Sequence, residues 1–247
     1  MTATTDTTRY PIGIIGAGNI GSALARAFAA AGHSIVIANS RGPASLAPLI
    51  DELTELGALG TAGTVKTGTV DADTVEAGAV EVGTIEAGTV EQAAQAGDLV
   101  VVTIPLKAVT SIPSSLLDGR LVIDTNNYYP TRDGNIAELD NESITTAEYV
   151  ARHFAGSTVV KAFNHIPAPE IADHAHAAGT PDRRALMVYG EDAAAVERVQ
   201  ALIDSIGFDA VAGGGLAESW RIQRDTPGYG PRFTAAELTE KLDEAHR

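Results

Sequence analysis

Residues 11–42 read PIGIIGAGNIGSALARAFAAAGHSIVIANSRG, and this stretch decides the fold. Ile12 to Ile15 form a short apolar run, followed by Gly16, Gly18 and Gly21 in G-x-G-x-x-G spacing. Ile20, Leu24, Ala27, Phe28 and Ala31 then recur every three to four residues, the period of an amphipathic helix. Gly32 closes that helix, and a second apolar run covers residues 34–38. Strand, tight turn, helix, strand is one βαβ unit. Gly16 allows the turn out of the strand, Gly18 lets the backbone approach a pyrophosphate, and Gly21 lets the helix pack close to the strand. The helix N-terminus, which begins at Asn19 and Ile20, offers free N–H groups and a positive dipole end to phosphates. The unit reads as a dinucleotide site.

The end of the second strand refines that reading. An NAD-specific site places Asp or Glu there to hold the ribose 2′-OH. Here the residues are Asn39, Ser40, Arg41 and Gly42, with no carboxylate. Ser40 can donate a hydrogen bond and Arg41 can pair with a phosphate, so NADP(H) is expected rather than NAD(H).

The chain of 247 residues is 45% apolar, enough for one large or two unequal domains. Its net charge of −15 argues against nucleic acid as a partner, because phosphate binding needs a basic surface. Cysteine is absent, which excludes disulfides, thiolate catalysis and cysteine metal sites. The first eight residues are polar, and no apolar run reaches the length that spans a bilayer. A cytoplasmic protein with no membrane partner is expected.

Residues 1–10 read as a flexible leader, and Pro43 to Leu59 as a helix. Residues 63–92 repeat a five-residue unit, with Val or Ile at 65, 70, 75, 80, 85 and 90. A period of five matches neither strand nor helix. A long acidic surface loop is expected, with a short β-solenoid as the alternative; a fold tolerates such a loop at about 0.6 kcal/mol per doubling of length. Residues 91–96 read as a short helix, and Asp98–Ile104 as a continuous apolar strand of the kind buried in a parallel sheet. Residues 106–117 are expected to be partly helical, broken near Pro113. Further strands are expected at 121–124, 158–162, 184–189 and 208–212. Further helices are expected at 144–154, 170–178, 192–206 and 235–245. Alternating strands and helices imply an α/β fold with a doubly wound parallel sheet. Residues 11–174 form its nucleotide-binding domain, and 175–247 a smaller part that completes the cleft. Ligands in such sheets lie at the carboxyl ends of the strands. Those ends are Gly16–Gly21, Ser40–Arg41, Ile104–Leu106, Thr125–Asn127 and Asn164–His165.

No nucleophile–base set stands out. His165 follows a strand at the ligand edge, where it could orient a substrate or shuttle a proton; a structural role is the equal alternative. Lys161 and Asn164 share that edge and could hydrogen-bond nicotinamide or substrate. Trp220 and Arg221 could cover a flat ring, or simply pack. Glu170, Asp173, His174 and His176 look like loose metal ligands, but His-x-His on a helix sends the two rings to different faces. No metal site is expected there.

GAGNIGSALA, ANSRGP, VVVTIPLKAV, VIDTNNYYP, VVKAFNHI, GFDAV and GLAESWR, in this order, resemble the coenzyme F420-dependent NADP oxidoreductase family. The resemblance covers nearly the whole chain outside the leader, the repeat and the C-terminal tail. It implies a Rossmann domain with a small C-terminal part, usually a homodimer. The implied chemistry is direct hydride transfer between NADPH and a deazaflavin ring, which needs positioning more than acid–base residues. It also implies that Ser40 and Arg41 take the 2′-phosphate and that Ile104, Pro105 and Leu106 line the cofactor path. Asn126 joins that cofactor set. Asn164, His165, Leu216 and Trp220 would lie against the second ring system. Archaeal members carry a histidine where this chain has Asn164. The version Lys161-Ala162-Phe163-Asn164 also resembles the NADPH-binding domain of membrane ferric reductases, which implies an ordinary flavin as the other acceptor. Two further readings stay open: an NADPH-dependent reductase of a small carbonyl or imine, and a non-catalytic NADPH sensor.

Overall fold

Leu99–Val102 shows how the chain becomes a sheet. Leu99 and Val101 point into one hydrophobic cluster, Val100 and Val102 into another, and all four are fully buried. A strand covered on both faces needs apolar residues at every position, because alternate side chains point to opposite faces. The structure, a computed structural model, describes residues 10–59 and 83–247. Within them the strands are β1 (Ile12–Ile15), β2 (Ile35–Ala38), β3 (Ile85–Gly88), β4 (Leu99–Val102), β5 (Leu121–Asp124), β6 (Thr158–Lys161), β7 (Ala185–Gly190) and β8 (Asp209–Ala212). The helices are α1 (Asn19–Ala30), α2 (Ala47–Leu59), α3 (Val90–Gln95), α4 (Pro130–Asp133), α5 (Ala137–Asp140), α6 (Thr146–His153), α7 (Glu170–Asp173), α8 (Ala193–Ser205) and α9 (Ala235–Asp243).

The eight strands form one sheet in the order β3-β2-β1-β4-β5-β6-β7-β8. All neighbours are parallel except β6 and β7, which pair antiparallel through Val160↔Gly190 and Lys161↔Tyr189. This is the expected α/β, Rossmann-type doubly wound sheet. The chain leaves β1 first toward β2 and later crosses to β4, so a crevice opens above the carboxyl ends of β1 and β4. Local chemistry fixes several boundaries. Thr145 caps α6 by accepting from Glu148 N, and Glu148 returns the bond to Thr145 N.

Three expectations change. The stretch expected as a surface loop ends in ordered structure: Ile85–Gly88 is the edge strand, in register with Ile35–Ala38. Gly83 fits only because it lacks a side chain, since a Cβ there would lie 1.7 Å from His33 O. Thr89 then caps α3 in a reciprocal box with Gln92. Residues 63–82 of the repeat, and residues 1–9 of the leader, lie outside the described residues. The helix expected over 170–178 is the single turn α7, because His176 N donates to Gly207 O and leaves the helical ladder. Residues 106–117 are helical in part and broken at Pro113 as expected, in two 3₁₀ turns, Leu106–Ser111 and Ser114–Leu117. Strand β7 runs against β6 because only that one helical turn separates them, and a parallel return is normally made by a longer crossover helix.

Candidate functional site

The glycine turn divides its labour as the sequence suggests. Gly16 has φ +116°, and a Cβ on it would lie 2.6 Å from Thr103 Oγ1. A Cβ on Gly21 would lie 1.9 Å from Gly16 O, so the start of α1 lies directly on the end of β1. Gly18 has nothing within 4 Å of a Cβ, so its glycine keeps open a space the protein itself does not use. No side chain caps α1, and its first turn holds no acidic residue. Its N–H groups and dipole therefore remain available to an anion.

Two adjoining pockets run from this turn. One, of about 330 Å³, is bounded by Gly18, Asn39, Ser40, Arg41, Ile104 and Pro105. Asn39 Oδ1 accepts from Arg41 N at 2.9 Å, which shapes the loop. The Arg41 side chain is exposed and makes no ion pair among the described residues. The second pocket, of about 410 Å³, shares Gly18, Ile104 and Pro105 and continues past Asn126 and Asn164 to Tyr129 and Tyr229. Leu106, by contrast, is fully buried in the core beneath.

Asn126 lines the second pocket and is bonded to the buried Asp124 and Lys161 behind it. Asn126 donates to Asp124 Oδ1 twice, from its backbone N at 2.8 Å and from Nδ2 at 2.7 Å. A carboxylate only accepts, so the amide orientation is fixed and Oδ1 is the atom left without a partner. A buried acceptor of this kind is costly unless something donates to it. Lys161 Nζ reaches Asp124 Oδ2 at 2.9 Å and also bonds Asn126 O. Burial pulls Lys161 below the usual lysine range, against the opposing pull of the Asp124 carboxylate. The lysine thus lies under the pocket wall with both partners inside the protein.

Two residues past the end of β6, Phe163 has φ +61°, an uncommon backbone state for a bulky residue and a local strain. That turn brings Asn164 to the pocket, where Nδ2 donates to Ile222 O at 2.8 Å and to Asn127 Oδ1 at 3.2 Å. His165 faces the other way. It is buried, and its Nε2 accepts from Met187 N at 3.1 Å. Nδ1 therefore carries the proton and lies 3.4 Å from Asn164 Oδ1. Burial, with the nearby charges of Arg184 and Lys161, pulls its pKa down to about 3, so the ring is neutral at physiological pH. Leu216 is buried, with its carbonyl held by Thr145 Oγ1, and Trp220 lies between Arg221 and Arg247 at 4.5 and 5.6 Å. Neither lines the pocket. Glu170 and His174 both engage Arg184.

Tyr129 and Tyr229 carried no role in the sequence reading. Tyr129 lies in the TNNYYP turn after β5, and Tyr229 in the turn-rich TPGYGP stretch after Ile222. Those punctuated tyrosines were the available signal, but a hundred residues separate them. A third, larger cavity of about 630 Å³ lies behind α1 and is mostly alanine-walled. Its arginines are already paired, Arg26 with Glu52 and Arg183 with Asp204 and Asp209. It lacks a buried unpaired polar atom of the kind that Asn126 offers in the cleft.

Residues 11–128 match the family model described as NADP oxidoreductase, coenzyme F420-dependent. A hypothetical protein, SMa0349 of Sinorhizobium meliloti, superposes with a TM-score of 0.70 and 30% identity, covering 93% of this chain and 97% of that one. A candidate F420-dependent NADP reductase of Arthrobacter sp. FB24 superposes at TM-score 0.61 and 22% identity, over 86% and 87% of the two chains, and supports the fold alone. So does an imine reductase of Bacillus cereus BAG3X2, at 0.53 and 17%, over 85% of this chain and 56% of that one. The Escherichia coli (strain K12) protein YjhV is 39% identical over 71 residues, 28% of this chain; the match spans about half of that protein, 52%. No helix among the described residues is long and apolar enough to cross a membrane. The glycine turn, the cleft and the match of residues 11–128 to that family model together make the chain an NADP(H)-dependent oxidoreductase whose N-terminal half is similar to the coenzyme F420-dependent NADP oxidoreductases.

Proposed function

We propose that the protein transfers a hydride directly between NADP(H) and the ring of a deazaflavin, coenzyme F420, or of a flavin. The observation that carries this is the continuity of one cleft, from the unpaired Arg41 through the open space at Gly18 to the orphaned Asn126 oxygen. The residues present fit the nucleotide. The α1 N-terminus and Gly18 would hold its pyrophosphate, and Ser40 and Arg41 its 2′-phosphate. The orphaned Asn126 Oδ1 would accept from the carboxamide of the nicotinamide. Bound there, the reduced nicotinamide supplies the hydride. Ile104, Pro105 and Phe163 line the path and exclude water. Residues 175–247 would cover the acceptor end through Tyr229, and the family resemblance carries a cytoplasmic homodimer.

A reductase of a small carbonyl or imine is the second reading. The two phenol hydroxyls at the acceptor end favour it, because such substrates need a hydrogen-bond donor at oxygen or nitrogen. NADPH oxidation followed at 340 nm tests both, with F420, FMN, FAD, riboflavin and a panel of ketones and cyclic imines offered side by side. Turnover with F420 or flavins supports the first reading and turnover only with the panel supports the second. Tight NADPH binding without turnover on any acceptor would overturn both.

A further inference from the structure

Tyr129 and Tyr229 place their hydroxyl oxygens 2.9 Å apart at the wall of the acceptor pocket. Their hydrogens can be counted. Asn127 Nδ2 donates to Asn164 O at 2.7 Å, an atom that only accepts, so the Asn127 amide orientation is fixed. Its other hydrogen points to the Tyr229 oxygen at 3.3 Å. Of the two phenol hydrogens, one bridges the two oxygens. The other has no acceptor among the described residues, whichever phenol carries it.

We propose that this tyrosine pair donates its free hydrogen to the heteroatom of the acceptor that becomes electron-rich as hydride arrives. The proposal rests on the hydride-transfer reading and adds the partner of the transfer, the proton. The hydride brings its electron pair to an acceptor carbon. The displaced π pair moves through the C=O, C=N or conjugated ring system to an oxygen or nitrogen, and that atom takes the tyrosine proton. The phenolate left behind recovers a proton from its neighbour, and the neighbour from solvent. NADPH, one proton and the acceptor become NADP+ and the two-electron-reduced acceptor.

The surroundings suit this role. Arg132 and Arg224 lie over the Tyr129 ring at 4.7 and 5.3 Å, where their charge favours a transient phenolate. Burial, with the hydrogen bond from Tyr129, holds Tyr229 above the usual phenol range, so it is a protonated donor at neutral pH. Asp133 accepts from Tyr129 N at 2.9 Å and from Arg132 Nε at 2.9 Å, which fixes the loop that carries Tyr129. Two sources supply an acceptor with this chemistry, a deazaflavin or flavin ring and a small carbonyl or imine.

Tyr129→Phe, Tyr229→Phe and the double variant are assayed on each acceptor class, with NADPH affinity measured in parallel. A drop of at least tenfold in kcat on the acceptor that wild type reduces is expected, with NADPH Kd within twofold. The solvent deuterium isotope effect of wild type is expected to change. Acceptor affinity for the NADP+ complex, read by fluorescence, is expected to weaken three- to tenfold, an effect that loss of packing alone would not couple to the isotope effect. The class that shows the drop identifies the source. If wild type turns over an acceptor and both single variants match it within twofold, the tyrosine proposal fails and the hydride reading stands. If wild type is inert on every acceptor, the hydride reading fails and takes the tyrosine proposal with it.

Discussion

The two ends of the cleft are built in opposite ways. The phosphate end is made of backbone from one contiguous stretch, Gly16 to Gly21, with Ser40 and Arg41 one strand away. The acceptor end is made of side chains: Asn126 and Tyr129 after β5, Asn164 after β6, and Tyr229 near the end of the chain. A backbone site depends on a turn and a helix start, which neighbouring residues dictate. A side-chain site depends on where the sheet delivers distant segments.

The sharpest way to break that contrast is Lys161→Ala. If the buried Lys161–Asp124 pair is a support beneath the acceptor end, its loss should cost about 3–5 kcal/mol of stability in urea unfolding. A stable variant with collapsed turnover would instead make Lys161 a working group. Next in size is Arg41→Ala. Losing a charged contact of about 1.5–3 kcal/mol should weaken NADPH roughly ten- to a hundredfold and leave NADH unchanged. Equal losses for both nucleotides would sink the 2′-phosphate assignment.

Gly18→Ala tests whether backbone approach, rather than packing, explains the middle glycine. With nothing near its Cβ, the melting temperature should stay put while NADPH affinity drops about tenfold or more, roughly 1.4 kcal/mol. Gly21→Ala should do the reverse and fail on stability, because its Cβ meets backbone. His165→Gln gives a pH signature. The folded pKa of about 3 lies below the ordinary histidine value of 6.5, so the unfolded chain takes up the proton first. Stability should therefore fall as pH drops from 6.5 toward 3, and the variant should show a shallower acid limb in pH-dependent unfolding. Thr89→Ala, which removes the α3 cap, is the smallest, at about 1 kcal/mol by thermal unfolding.

The sequence carried the glycine-turn end of the cleft almost entirely, because glycine spacing and helix period are local facts. Most strands were legible for the same reason. The antiparallel turn of β7 was not, since nothing within residues 185–190 encodes direction; the connection out of β6 holds one helical turn, α7, in place of a full crossover helix. His165 lies at a strand end that sequence alone places in the cleft. The left-handed backbone at Phe163 sends Asn164 into the pocket and His165 into the core. Tyr129 and Tyr229 meet because the 3₁₀ turns over Leu216–Ile222 and the Asn164–Ile222 bond return the chain to the cleft.

The edge strand has a consequence for heredity. Residues 63–92 hold successive copies of one five-residue unit, and β3 with its helix cap uses only the last two of them. Gain or loss of whole copies upstream leaves the residues from Gly83 to Gln92 unchanged in kind. Copy number can therefore drift between lineages while the same strand is laid beside β2. Chains descended from a common parent are expected to differ in this interval by multiples of five, and sequencing of close relatives would show it.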